Sequence, residues 1–312
     1  MGWLGMLTAR LLPIRFSSLS ERHLPATSLL LLALCALPGT LPAQAQQSND
    51  FVRFHLRDRY LIVVDAKVNE TGPFKFLVDT GTTRTVIDPD LARKLQAPAI
   101  GKVSLTGILH QRQDELVRIE SVRLGGVSLS ELGVVVDNLG RQKALAPGIR
   151  GVLGEDFLSR FDIFINYKER WLRFGGPVPA GERCRFETIG QFRGSPTTNR
   201  VLIWTDFMDA GGARVLLQLD TGARVPELFP ASHEPLSPPR WSGVMAVSDG
   251  ADEVMIDSNT SIKIGSTVVR GLDVVQSRRS LTFDAQGLLP AAIFKTIYIS
   301  HSGGFVVLNP GE

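Results

Sequence analysis

The feature that most constrains the fold is an internal repeat with an offset of about 141 positions. In both copies an apolar run leads into the same triplet, Asp-Thr-Gly, and the order of the further matches is kept along the chain. The matching segments are residues 59–65 with 200–206, 76–81 with 217–222, 122–125 with 262–265 and 151–154 with 287–290. A repeat of this kind predicts two copies of one folding unit, at about residues 51–176 and 195–310.

Within each copy, short apolar runs bounded by turn residues predict strands. The clearest runs are residues 61–64, 74–78, 133–136 and 161–165. A short helix is predicted from Pro89 to Leu95, because Asp88 can cap its first turn. Glycine and proline at 175–181 predict a break between the copies. The predicted organisation is mostly β, with an N-terminal lobe at 46–176, a linker at 177–194 and a C-terminal lobe at 195–312.

The first 45 residues have the composition of an export signal. Arginines precede an apolar run at 29–37, and Ala43-Gln44-Ala45 follows as a small-x-small cleavage sequence. The apolar run is far shorter than the ~20 residues that span a bilayer. We therefore expect a Sec-type signal peptide at 1–45, cleavage after Ala45, and a periplasmic or secreted protein without stable membrane insertion. An uncleaved anchor or a transit peptide is the alternative.

Composition excludes several classes of function. A net charge of +3, with no block of Lys or Arg, argues against a nucleic-acid partner. The histidines lack metal-ligand spacing, so we expect no metal and no cofactor. Only Cys184 remains after the predicted cleavage, which excludes an intramolecular disulfide. Only residues 46–50 would precede the first strand, so we also expect no long inhibitory prosegment.

The two triplets, Asp79-Thr80-Gly81 and Asp220-Thr221-Gly222, carry the chemistry. A carboxylate followed by a hydroxyl and a glycine can be oriented, hydrogen-bonded and closely approached by another group. If the two loops meet across a pseudo-twofold axis, the carboxyl groups cannot both ionise easily and share one proton. The ionised member can then take a proton from water while the protonated member polarises a carbonyl.

These residues resemble the aspartic peptidases, and specifically the bacterial retropepsin-like group. The resemblance rests on residues 77–82, 151–154 and 161–167 in the first copy and on 219–223 in the second. It implies two homologous lobes, each like a closed β-barrel, related by a pseudo-twofold axis. It also implies an aspartic endopeptidase acting on protein or peptide substrates through Asp79 and Asp220. The residues implied to support the active-site loops are Thr80, Gly81, Thr82, Thr221, Gly222 and Ala223.

The same resemblance implies a hairpin flap over the cleft in each copy. In the first copy the flap would include Gly107 and Ile108, and in the second Gly243 and Val244. Two flaps suit a fused retropepsin dimer, so we expect a two-lobed monomer. A homodimer in which the second lobe is mainly scaffold is the alternative.

One residue departs from the family pattern. Pro290 stands where the first copy has Gly154, and proline cannot reproduce a bare or unusual backbone. Proline could instead occupy the first turn of a following helix. If Pro290 disrupts the second loop, the alternative function is a catalytically inactive periplasmic peptide-binding protein of the same fold.

Four charged residues near the triplets are given structural roles by the sequence alone. Glu155 and Asp156 are predicted to interact with the dipole of a helix N-terminus. Arg84 and Arg224 follow the two triplets and could bind a substrate carboxylate, but we favour a solvated or lobe-pairing role.

Overall fold

Short strands make up most of the described chain, as the sequence predicts. The computed structural model describes residues 51–106, 111–189, 198–209, 213–229, 241–247, 250–277 and 285–309. The strands of the first half are β1 Val52–Arg53, β2 His55–Arg57, β3 Leu61–Val68, β4 Thr71–Val78, β5 Val86–Ile87, β6 Ala99–Thr106, β7 Gln111–Leu124, β8 Val127–Val136, β9 Ile149–Leu153, β10 Ile163–Asn166 and β11 Trp171–Phe174. Its helices are α1 Pro89–Lys94, α2 Gly140–Leu145 and α3 Glu155–Leu158.

The second half is also built from strands. They are β12 Cys184–Arg185, β13 Glu187–Ile189, β14 Thr198–Phe207, β15 Ala213–Asp220, β16 Glu227–Leu228, β17 Trp241–Val247, β18 Gly250–Ile264, β19 Thr267–Ser277, β20 Gly287–Pro290, β21 Thr296–Ser300 and β22 Phe305–Leu308. A 3-10 helix, Ala291–Ile293, follows β20. Strands β12 and β13 fall inside the predicted linker at 177–194, so part of that segment is incorporated into sheets.

A closed barrel is the central element of each half. In the first half the strand order is β2-β3-β4-β9-β5-β8-β7-β6, and β3 also pairs with β7, which closes the barrel. In the second half the order is β13-β14-β15-β20-β16-β19-β18-β17, and β14 also pairs with β18. The two orders correspond strand for strand. The predicted fold class, mostly β with closed-barrel-like halves, is confirmed.

A third sheet combines strands of both halves in the order β1-β11-β10-β21-β22-β12. At its centre β10 runs antiparallel to β21, with Ile163 opposite Ile299 and Ile165 opposite Ile297. All four isoleucines are at most 1% exposed, so this sheet belongs to the hydrophobic core. Strand β10 begins at Ile163, two residues after the start of the strand predicted at 161–165.

Asp162, the residue before β10, binds the other half of the chain through its side chain. Its carboxylate accepts hydrogen bonds from Tyr298 Oη at 3.1 Å, Ser300 Oγ at 3.1 Å, and the Ser302 amide and hydroxyl at 2.9 and 2.8 Å. Partial burial alone raises the pKa of Asp162, but hydrogen bonds from Ser302, Ser300 and Tyr298 outweigh it and leave the pKa below its ordinary value. The Asp162 carboxylate thus joins the start of β10 to β21 and to the turn that follows β21.

Helix α1 follows its sequence signals closely. Asp88 caps it, accepting a hydrogen bond from the Leu91 amide at 2.7 Å, and Leu95 is the C-cap. Asp88 is fully buried and forms ion pairs with Lys143 at 2.9 Å and Arg150 at 3.2 Å. In the part of the chain that the structure describes, no helix is long and apolar enough to cross a membrane.

Candidate functional site

The two Asp-Thr-Gly triplets meet in space because each follows a strand at an equivalent place in its barrel. Strand β4 runs parallel to β9 and leads to Asp79, whose amide donates to the Leu153 carbonyl at 3.0 Å. Strand β15 runs parallel to β20 in the same way and ends at Asp220, opposite Pro290. Each triplet therefore lies at the end of a strand that pairs in parallel with a second strand of its own barrel.

Reciprocal hydrogen bonds between Thr80 and Thr221 connect the two triplets. The Thr80 amide donates to Thr221 Oγ1 at 3.0 Å, and the Thr221 amide donates to Thr80 Oγ1 at 3.1 Å. Each hydroxyl then donates across to the other strand, Thr80 to the Leu219 carbonyl at 2.9 Å and Thr221 to the Val78 carbonyl at 2.7 Å. Both threonines are fully buried, so these four bonds fix one loop against the other without competition from water.

The glycines of the triplets permit this close approach. A Cβ atom added to Gly81 would lie 2.5 Å from Cγ of Asp220, and one added to Gly222 would lie 2.9 Å from Oδ1 of Asp79. Both contacts are shorter than real Cβ atoms adopt. Each carboxyl group is therefore packed against the bare backbone of the opposite loop.

The carboxyl groups of Asp79 and Asp220 affect each other's pKa, yet their hydrogen-bond partners differ. Asp79 accepts from the Gly81 amide at 2.8 Å and from the Thr82 hydroxyl at 2.9 Å. Asp220 accepts from the Gly222 amide at 2.6 Å, but Ala223 has no hydroxyl to offer. The two acids are therefore not electrostatically equivalent.

This difference affects the pKa values of the two acids unequally. Burial, together with the charge of Asp79, raises the pKa of Asp220 well above its ordinary value. Burial also raises the pKa of Asp79, but hydrogen bonds from Thr82 and Gly81 oppose the rise. The pKa of Asp220 is therefore raised further than that of Asp79.

Pro290 leaves the second loop intact. It lies at the end of β20, with φ −63° and ψ 126°, as the cap residue of the 3-10 helix. It therefore precedes the first turn by one residue, whereas one of the two alternatives from the sequence put it within that turn. Gly154, its counterpart, is needed in the first half because an added Cβ would lie 2.6 Å from the Arg84 backbone. Pro290 is accommodated because a 3-10 helix follows it, where α3 follows Gly154 in the first half. The hydrogen bonds of Thr221 are kept.

Gln218 is a residue of the site that sequence reasoning missed. It is 3% exposed, and its Nε2 donates to the carbonyls of Thr80 and Gly81, both at 3.1 Å. The amide side chain therefore supports the first triplet from the second half. A polar residue inside the apolar run of β15, two positions before Asp220, was the signal that could have identified it.

Glu155 and His301 form a buried pair of titratable side chains next to the segment that follows the first triplet. Glu155 is 1% exposed, and its amide donates to the Thr82 carbonyl at 2.8 Å. Its Oε2 lies 3.8 Å from Nε2 of His301, and among the described residues neither carboxylate oxygen of Glu155 nor Nε2 of His301 has a hydrogen-bond partner. Burial, with the charges of Asp79 and Asp156, raises the pKa of Glu155 well above its usual value. Burial lowers the pKa of His301 to about 4, so it is neutral at neutral pH.

Replacing Glu155 by glutamine is expected to stabilise the protein at neutral pH. Because the pKa of Glu155 is higher in the folded state, its contribution to stability is complete below about 4.5 and is lost as the pH rises. Glutamine mimics the protonated form, so the melting temperature of Glu155→Gln should exceed that of the wild type at pH 8 and match it at pH 4. Thermal unfolding of the exposed control Glu120→Gln should show no such difference, and equal wild-type and Glu155→Gln curves at pH 8 would contradict the expectation.

The predicted flaps are only partly described. Gly107 and Ile108 lie outside the described residues. Gly243 and Val244 lie in β17, opposite Val254 and Glu253 of β18, in a hairpin. Strands β6 and β7, which lie on either side of residues 107–110 in the sequence, pair in the equivalent place of the first half.

The described residues place no group of three or more His, Cys, Asp or Glu side chains where it could hold a metal ion.

Of the arginines after the triplets, Arg224 lies 3.8 Å from the Asp58 carboxylate across the two halves. Asp156 accepts hydrogen bonds from the amide and hydroxyl of Thr85, at 2.8 and 2.7 Å. Asp156 therefore supports the segment after the first triplet, and it also lies in the first turn of α3.

Comparison with known proteins agrees with this geometry. Residues 64–157 match the model of the aspartyl protease family. A retropepsin-like aspartic protease from Rickettsia conorii is 21% identical, over 39% of this chain and 86% of its own, with a TM-score of 0.27. The aspartic proteinase from Irpex lacteus is 11% identical, over 84% of this chain and 97% of its own, with a TM-score of 0.52, which shows a shared fold. No curated protein sequence gives a significant match.

Proposed function

We propose, from the aspartyl protease family match over residues 64–157 and the aspartic proteinase fold of the chain, that this protein is an aspartic endopeptidase. The observation that carries the proposal is the pairing of Asp79, which is half-buried, with Asp220, which is buried: the reciprocal Thr80 and Thr221 bonds join their loops, and each carboxyl group packs against the glycine of the opposite triplet. Two ionisable groups so close in a buried site retain one proton between them. A pair in this state can act as base and acid in the same step.

The unequal partners of the two acids suggest their roles in peptide hydrolysis. Because the pKa of Asp79 is raised less than that of Asp220, Asp79 would be the ionised member and Asp220 the protonated one. Asp79 would take a proton from a water molecule as the water oxygen attacks the peptide carbonyl carbon. Asp220 would give its proton to the carbonyl oxygen, which avoids a separate buried anion. Proton transfer to the leaving nitrogen and cleavage of the C–N bond then give one carboxyl and one amino product.

The proposal is tested by incubating the purified protein with a mixed peptide library from pH 3 to 8. We expect internal cleavage, detected by mass spectrometry and blocked by a statine peptide that mimics the tetrahedral intermediate. In H₂¹⁸O the label should enter the new carboxyl group during a single turnover, because water attacks directly. Binding of peptides without cleavage at any pH would contradict the proposal and support a peptide-binding protein.

The cellular setting belongs to the same proposal. The arginines, the apolar run at 29–37 and the sequence before Ala45 support export to the periplasm or outside the cell. The matching barrels of the two halves support a monomer that needs no second copy to assemble the pair of acids.

A further inference from the structure

A cavity of about 460 Å³ opens near the second triplet, at the junction of the two halves. Its lining residues are Asp58, Arg59, Tyr60, Arg224, Ala292 and Ile293. The first three come from the turn between β2 and β3, and the others follow Asp220 and β20. Arg224 lies four residues after Asp220, and Ala292 lies two residues after Pro290, which pairs with Asp220, so the cavity is close to that acid.

The cavity carries more positive than negative charge. Its only acid among the described residues is Asp58, which already lies 3.8 Å from Nη1 of Arg224. Arg59 has no ion-pair partner within the described ranges and contributes a second guanidinium. Its planar donor group is suited to binding a carboxylate through two hydrogen bonds.

The turn that presents Arg59 is in an unfavourable conformation for its residues. Asp58 and Arg59 have φ values of 47° and 70°, and the Tyr60 amide donates to the Arg57 carbonyl at 3.1 Å. Two-residue hairpin turns with positive φ at both positions favour Asn and Gly, because a long side chain is strained there. An arginine at this position costs stability and places its side chain at the cavity, which suggests that the side chain is used.

The equivalent place in the first half is constructed differently. There, Asp156 corresponds to Ala292, and its carboxylate accepts hydrogen bonds from the amide and hydroxyl of Thr85. Nearby, Ser159 accepts a hydrogen bond from Asn199 at 2.8 Å. The small Ala292 leaves space in the second half that Asp156 fills in the first.

We propose that this cavity is a substrate subsite that selects an acidic side chain, glutamate or aspartate, on one side of the cleaved bond. The inference rests on the proposed endopeptidase function and adds its substrate class. Arg59 is the main donor to the substrate carboxylate, and Arg224 is a second donor that exchanges its contact with Asp58 for the substrate. Because both arginines are partly solvated, we expect a preference of about tenfold, not an absolute requirement.

The test compares peptide pairs that carry glutamate or glutamine at one position, scanned along four residues on each side of a cleaved bond. For the wild type, kcat/KM should favour glutamate about tenfold at one position on one side, and the preference should fall in high salt. Arg59→Gly should remove most of that preference without lowering the melting temperature, because glycine relieves the strained turn. Arg224→Gln should weaken the preference, and Arg214→Gln, which removes an exposed arginine elsewhere, should leave it unchanged.

The outcomes separate this inference from the proposed function. Efficient cleavage with equal rates for glutamate and glutamine at every position would overturn the inference and leave the endopeptidase function standing. A preference that survives in Arg59→Gly and in the Arg59→Gly/Arg224→Gln double variant would overturn the assignment to this cavity. A protein that cleaves no peptide would contradict the endopeptidase function and the subsite together.

Discussion

Replacement of either Asp79 or Asp220 by asparagine is expected to reduce kcat/KM for peptide cleavage by about 10³-fold or more. The pair works with one negative charge and one proton, and an amide can supply neither a base at position 79 nor a carboxylic proton at position 220. The near-equal sizes of the two side chains leave the Thr80 and Thr221 contacts in place. The loss should therefore appear in kcat and not in the affinity for a substrate-like peptide.

The stability of these variants distinguishes lost chemistry from a lost fold. Burial raises the pKa of both acids, so their contribution to stability is complete below their unfolded pKa values and falls as the pH rises. An asparagine carries no charge to desolvate, so the variants should unfold at no lower a urea concentration than the wild type at pH 7. Asp65→Asn, an exposed acid of β3, is the matched control and should keep full activity. More than one-tenth of wild-type activity in Asp79→Asn or Asp220→Asn would contradict the shared-proton mechanism.

Elements governed by local sequence could be predicted almost completely. The start of α1 follows from a single side chain, Asp88, which supplies an acceptor for the first turn wherever the helix is placed. The strands at 61–64 and 74–78 follow from short buried runs and belong to the longer β3 and β4. The meeting of the two triplets could be predicted because the repeat implies that equivalent loops occupy equivalent places.

Features that depend on distant contacts could not be predicted. The sheet that joins β10 to β21 pairs segments more than a hundred residues apart, and nothing local to Ile163 indicates its partner. Glu155 was assigned to a helix dipole, because its position in the first turn was visible and its burial against His301 was not. Asp162 belonged to a predicted strand, yet its four hydrogen-bond donors all come from the other half of the chain.

Pro290 shows how a repeat can mislead when the two copies diverge. The sequence comparison treats the residue as a loss, because Gly154 fills the same place in the first copy. The structure replaces the helix α3 of the first half with a single 3-10 turn in the second, and Pro290 fits its cap. The same divergence puts Ala292 where Asp156 stands, so a change that seemed to threaten the site leaves a cavity beside it.

Replacement of Thr221 by valine is expected to lower the free energy of unfolding by about 2–5 kcal/mol, the largest stability effect that we expect from a single methyl-for-hydroxyl change. Valine has the same shape, so packing is kept. The Thr80 amide then loses its acceptor and the Val78 carbonyl loses its donor, in a region that water does not reach. Thr80→Val should cost a similar amount, because it removes the mirrored pair of bonds. Urea unfolding of each variant measures the change.

A control and a double variant test whether the cost comes from the link between the halves. Thr205 is also a fully buried threonine on a strand, but its hydroxyl makes one long bond of 3.4 Å to the Ile203 carbonyl, so Thr205→Val should cost much less. The Thr80→Val/Thr221→Val variant should lose less stability than the sum of the single changes, because each hydroxyl accepts from the amide of the other residue. Additive losses would mean that the threonines act separately. Since the same bonds hold Asp79 and Asp220 together, activity should fall with stability in both single variants, even at temperatures where each remains folded.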